Sequence, residues 1–187
     1  MTAPDEQRRE TSSLRATAHP VRLQILSLLT GAEMSAAEIA RELGITHANA
    51  SYHLRFLADA GVVVEAGEEK IRGGVAKRYR HPWDAAETAR FADSPEDAAR
   101  YVDAMAQELV RRFARRERPG SLTDAELWVA PEVFERVRSM VHEAATLLHA
   151  EARPPRTEGT VPVAMTAAVF RLSPEAKASR PKPRGRR

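Results

Sequence analysis

The 187-residue sequence predicts a mainly α chain with a small β component, an α+β fold. Two capped helical segments meet at a glycine between Ser35 and Ala60. A run of β-branched and cationic residues follows around Gly73-Gly74, as in a hairpin. Two stretches opened by Pro95 and Pro131 then keep apolar residues at helical spacing over several turns.

Residues 1–13 read as a polar, disordered arm. Leu14 to Thr30 reads as helix with a bend at His19-Pro20, and Pro20 is tolerated because a first turn needs no N–H donor. Val21, Ile25, Leu28 and Leu29 make its buried stripe. Ser35 and Glu38 form an S-x-x-E capping box that starts the next helix. Ile39, Ala40 and Leu43 share one face of it, and Gly44 supplies the positive φ that ends it. Thr46 caps the following helix, whose core side is Ala50, Leu54, Leu57, Ala58 and Gly61. Val62 to Val64 reads as a strand, Arg72-Gly73-Gly74-Val75 as the hairpin tip, and Val75 to Arg80 as the return strand. Tyr79 reads as a packing residue of that hairpin.

The side of the second helix away from the core carries His47, Ala48, Asn49, Ser51, Tyr52 and Arg55. On an isolated helix these would be a solvated face. Behind a capped partner helix and ahead of a cationic ribbon, they suit a DNA groove. Asn can pair with adenine and Arg with guanine in bidentate fashion. Lys70, Arg72, Lys77, Arg78 and Arg80 lie within eleven residues that contain no acid, and they suit phosphates. Edge protection of an exposed strand is the competing explanation for such cations. The candidate DNA-contacting set is Ser35, Thr46, His47, Ala48, Asn49, Ser51, Tyr52, Arg55, Lys70, Arg72, Lys77 and Arg78.

Residues 14–82 resemble the winged helix–turn–helix domain of ArsR-like bacterial transcriptional regulators. The resemblance rests on A-H-P-V-R-L-Q-I-L-S-L-L (Ala18 to Leu29), S-A-A-E-I-A-R-E-L-G-I (Ser35 to Ile45), S-Y-H-L-R-F-L-A-D-A-G-V-V (Ser51 to Val63) and the closing K-R-Y-R-H-P. It covers under half of the chain. It implies a dimeric, double-stranded-DNA-binding regulator, most often a repressor, without identifying operator or inducer. Metal-sensing members use cysteine thiolates, and this chain has no cysteine, so a thiolate site is excluded. A second family pattern uses His and carboxylates on C-terminal helices. The candidates His142 and His149 stand seven residues apart, about 10.5 Å along a helix, too far to share one ion. No metal or other cofactor is expected, which leaves a small organic effector as the inducer class. A metal site shared between subunits stays open.

Composition sets further bounds. Hydrophobic content of 43% and charged content of 29% are ordinary for a globular protein, and no apolar run approaches a membrane span. The N-terminus lacks the apolar core of a secretory signal, so a cytoplasmic, nucleoid-associated location is expected. Of 29 basic residues, seven lie from Arg171 onward against one acid. That segment carries +6 and the preceding 170 residues −3 (22 basic against 25 acidic), so the basic character belongs to a disordered tail over 173–187. With no G-x-S-x-G, phosphate loop or cysteine nucleophile, no enzymatic activity is expected. A winged protein-interaction module and a regulator sensing metal through histidine and carboxylate remain the alternatives.

Residues 83–172 read as a helical or α+β dimerisation or effector region. Ser94-Pro95-Glu96-Asp97 starts a helix running to about Arg116, with Ala98, Val102, Met105, Leu109 and Phe113 as its apolar stripe. Val102, Met105, Leu109 and Phe113 are the expected homodimer contacts. Residues 125–129 read as a short strand, Pro131 to Ala150 as a helix and residues 161–172 as a strand. Trp128, Phe134 and Phe170 could line a ligand pocket or complete the dimer.

Overall fold

The computed structural model describes residues 14–71, 74–83 and 94–173. The expected N-terminal arm, the wing-tip residues Arg72 and Gly73, the connection over 84–93 and nearly all of the basic tail lie outside the described residues.

Residues 14–17 make one helical turn, and α1 (Pro20–Gly31) follows. The bend forms where expected: His19 is in extended conformation, and its Nδ1 accepts from the Val21 N–H at 3.2 Å. Then come β1 (Met34–Ser35), α2 (Ala36–Leu43), α3 (His47–Asp59), β2 (Val64–Ile71) and β3 (Gly74–Arg80). The capping box is complete: the Ser35 N–H donates to Glu38 Oε2 at 2.7 Å, and the Glu38 N–H donates to Ser35 Oγ at 3.4 Å. Gly44 ends α2 at φ 65°, in the left-handed region, and Thr46 caps α3 by accepting from the Asn49 N–H at 3.2 Å.

The sheet is antiparallel in the order β1-β3-β2. Met34 lies opposite Tyr79, and β2 and β3 form the wing with a bulge between Glu65 and Gly67. A two-residue strand is too short to show a period, so β1 had no sequence signal. Val62 and Val63 precede β2 instead of belonging to it, yet both are buried. Ile25, Leu29, Ile39, Leu54, Leu57 and Val63 form the centre of the core, and Tyr79 closes it from the wing. Each such burial contributes about 1.5–3 kcal/mol before the ordering entropy. This arrangement is a winged helix–turn–helix.

Beyond it, α4 (Pro95–Phe113) and α5 (Pro131–Ala150) form at the expected prolines. α4 lies on α1, but not by its apolar stripe. Its buried residues are Asp97, Ala104 and Glu108, while Val102, Leu109 and Phe113 face water. Gln24 of α1 donates to Glu108 Oε1 at 2.7 Å, and Arg111 clasps the same carboxylate at 2.7 Å. Burial would raise the Glu108 pKa, but hydrogen bonds from Arg111 and Gln24 and the charges of Arg111 and Arg112 outweigh it and hold it low. Arg111 and Arg112, in the last turn of the helix, neutralise this buried acid. The helix ends at Phe113, short of Arg116, where the chain tightens through Arg115 N–H to Arg112 and Arg116 N–H to Phe113 carbonyls.

The two strands expected over 125–129 and 161–172 are not formed. A strand needs a ladder partner, and among the described residues neither segment has one within the chain. Trp128 is 96% exposed in the single chain.

Leu57→Ala should cost about 2–5 kcal/mol, because a fully buried leucine leaves both transfer energy and a cavity behind. Ser35→Ala should cost about 1 kcal/mol through the lost cap. Urea denaturation followed by circular dichroism measures both.

Candidate nucleic-acid interface

The orientation of α3 follows from its inner face. Ala50, Leu54 and Leu57 are buried, and successive residues are turned by about 100°, so Tyr52 and Arg55 must point outward. His47, Ala48, Tyr52 and Arg55 are exposed, and Asn49 and Ser51 are half-buried. Arg55 Nε donates back to the Ser51 carbonyl at 3.3 Å, which lays the guanidinium along the helix surface. His47, Ala48, Tyr52 and Arg55 thus lie on the side of α3 away from its buried residues, with Asn49 and Ser51 at its margins.

Ser35 does not join it. The residue is buried, its Oγ accepts from Glu38 N–H and bonds Glu38 Oε2 at 2.9 Å, and no free side is left for DNA. Thr46 is exposed at the α3 start.

The wing is less uniformly cationic than its return strand. β2 carries Glu65, Glu68 and Glu69, with Glu68 directly opposite Lys77 of β3. Lys77 Nζ donates to Glu65 at 2.7 Å in an exposed pair worth little to stability. Lys70 and Arg80 are exposed and enter no ion pair among the described residues. Arg78 is bound on three sides: to Glu69 at 2.6 Å, to the capping carboxylate of Glu38 at 3.2 Å and to the Glu33 carbonyl. It ties wing, β1 and α2 together, a structural task that sequence reading did not find. Burial pushes the Glu38 pKa up, but the Ser35 hydrogen bonds and the Arg78 charge pull it lower overall.

A second feature lies behind the outward face. His53 of α3 is 7% exposed, and its ring sits 4.8 Å from that of His19, centroid to centroid. Its Nδ1 is buried without a hydrogen-bond partner, as is Nε of Arg22, whose guanidinium stacks 4.5 Å over Phe56. Burial lowers the pKa of both histidines, and the Arg22 charge adds to it; for His53, His19 adds as well. The H-P-x-R and S-x-H-L runs quoted above therefore meet in space. Their separation in sequence hid the contact.

At the far end of α5, His149 stacks on Trp83 at 3.9 Å with 14° between the rings, while His142 is exposed.

Residues 17–66 match the helix-turn-helix domain family. The matched stretch contains α1, β1, α2, α3 and the first three residues of β2. Among solved structures, the chain is similar to HlyU from Vibrio cholerae N16961, with 25% identity over 62% of this chain and 100% of that one, at a TM-score of 0.34. No curated protein matches the chain.

Both histidines have folded pKa values below the ordinary imidazole value, so between the two values the unfolded chain binds more protons. Stability is complete above about pH 6.5 and declines as pH falls below it. The urea midpoint should therefore drop between pH 7.5 and 5.5, and His53→Gln should show a shallower drop. An equal drop in wild type and variant would mean that this pair does not carry the effect.

Proposed function

We propose that the protein is a sequence-specific transcriptional regulator that binds duplex DNA through α3 and the wing, as a homodimeric repressor of the ArsR-like type. The observation that carries this reading is the uncovered polar face of α3 in a winged helix–turn–helix. A recognition helix is expected to leave such a face open, and a purely structural helix has no need of one. Asn49, Tyr52 and Arg55 are assigned to base edges, with His47, Ala48 and Ser51 beside them. Thr46, Lys70 and Lys77 are assigned to phosphates, with Arg72 at the tip. Phosphate can replace Glu65 as the partner of Lys77, since both groups of that pair are exposed. Arg78 is assigned to holding the wing. The regulator works without catalysis, in the cytoplasm, and any inducer is a small organic molecule. Val102, Met105, Leu109 and Phe113 belong to the subunit interface.

One observation favours a second reading. The glutamates of β2 offset part of the wing charge, which would suit a winged module that binds protein. Salt separates the two, because phosphate contacts release counterions.

Arg55→Ala and Asn49→Ala should each weaken operator binding by about 1–3 kcal/mol and relax preference at one base pair. Fluorescence anisotropy on the DNA upstream of the gene measures this. Unchanged affinity in both would remove α3 as the reader. Replacing Lys70 and Lys77 together by Gln should weaken all duplexes alike and lower the salt slope by about two, one for each contact.

A further inference from the structure

The segment after α4 returns to the rest of the chain at residues 149–156. His149 stacks on Trp83, and Arg156 pairs with Glu42 of α2 at 2.6 Å. The Arg153 backbone passes so close to Gly31 of α1 that a Cβ there would stand 2.7 Å from its carbonyl oxygen. Residues 149–156 are thus seated on the winged unit.

The rest of the segment is not. α5 has no buried residue, and Val133, Val137 and Met140 form an apolar stripe at helical spacing that faces water. Leu127 and Trp128 ahead of the helix are more exposed still. Leaving Phe170 aside, twelve large apolar side chains from Leu122 to Leu172 are exposed. Together they offer on the order of 1,000 Å² of apolar surface, where a stable dimer needs about 800 Å² per partner.

α4 presents the complementary half. Its polar face is spent on α1, and Val102, Leu109 and Phe113 are left outside. The stripes of α4 and α5 do not cover each other within the chain, because α4 is fixed on α1 by Glu108 and α5 is fixed at its far end by Trp83 and Gly31.

We propose that residues 117–148 form an exchanged arm: α5 of each chain docks its Val133–Met140 stripe on the outward face of α4 of a second copy. This rests on the dimer reading above and adds how the dimer closes. The contact is isologous, so each chain gives one arm and receives one. Strand-forming residues 125–129 find their missing ladder in the partner.

The absence of native cysteine makes the test clean. Leu109→Cys and Val137→Cys chains, one of them tagged, are mixed at tens of micromolar and oxidised. Sedimentation gives the oligomeric state. The emission difference between wild type and Trp128→Phe reports the Trp128 environment. Exchange predicts a dimer, a disulfide between the two different chains, and a blue-shifted Trp128 signal. A monomer overturns it. So does a dimer in which Leu109→Cys chains link to each other and Trp128 remains in water. An exchanged dimer that binds no duplex would refute the DNA reading and leave the exchange standing.

Discussion

Leu54 and Leu57, buried against Ile25, Leu29 and Ile39, determine which way the rest of α3 points. A helix has one rotational freedom about its axis once its position is set. Two large side chains three residues apart on the inner face remove it. Everything on the outer face, Tyr52 and Arg55 above all, then has a direction that no local contact needs to supply. The capping box and Gly44 act one step earlier, by fixing where α2 begins and ends and hence where α3 can start. The orientation of that outer face is therefore a by-product of core packing, and its precision is the precision of that core.

Charge is distributed on the same logic. Glu38 satisfies the Ser35 backbone N–H and also holds Arg78, so one carboxylate joins the start of α2 to the wing. Glu108 does the equivalent between α1 and α4, a buried acid supported by Gln24 and two arginines. Breaking such a buried pair costs more than forming it returns, because the remaining charge has nowhere to go. These ion pairs register the elements against each other, while the hydrophobic core supplies most of the stability.

The winged unit was legible in the sequence because its signals are local. Caps, a positive-φ glycine and helical spacing act within a few residues, and Ser35, Gly44, Thr46, Ser94 and Pro131 all mark helix ends where expected. The face of α3 was legible for the same reason. What escaped were contacts across long separations: β1 on β3, His19 on His53, Arg78 on Glu38, Glu108 on Gln24 and His149 on Trp83. In β2 the acids were visible, but the diagonal pairing of Glu65 with Lys77 across the wing was not. The apolar, β-branched segments at 125–129 and 161–172 carry strand propensity, yet propensity does not provide a ladder partner. For α4, the apolar stripe was legible and stays exposed in the single chain at Val102, Leu109 and Phe113, since hydrophobic spacing identifies a face to be covered without saying by which chain.

Gly31 illustrates how this architecture limits redesign. Gly31 is the last residue of α1, and replacing a glycine by alanine is a standard stabilising change. Here the methyl group would meet the Arg153 carbonyl oxygen, a backbone atom that cannot rotate aside. The chain could accept the substitution only by lifting the segment around Arg153 away from α1. A change that strengthens one helix considered alone would thus alter the placement of another 120 residues downstream. Stabilising this protein one element at a time therefore works only where the element does not also serve as the seat of the arm.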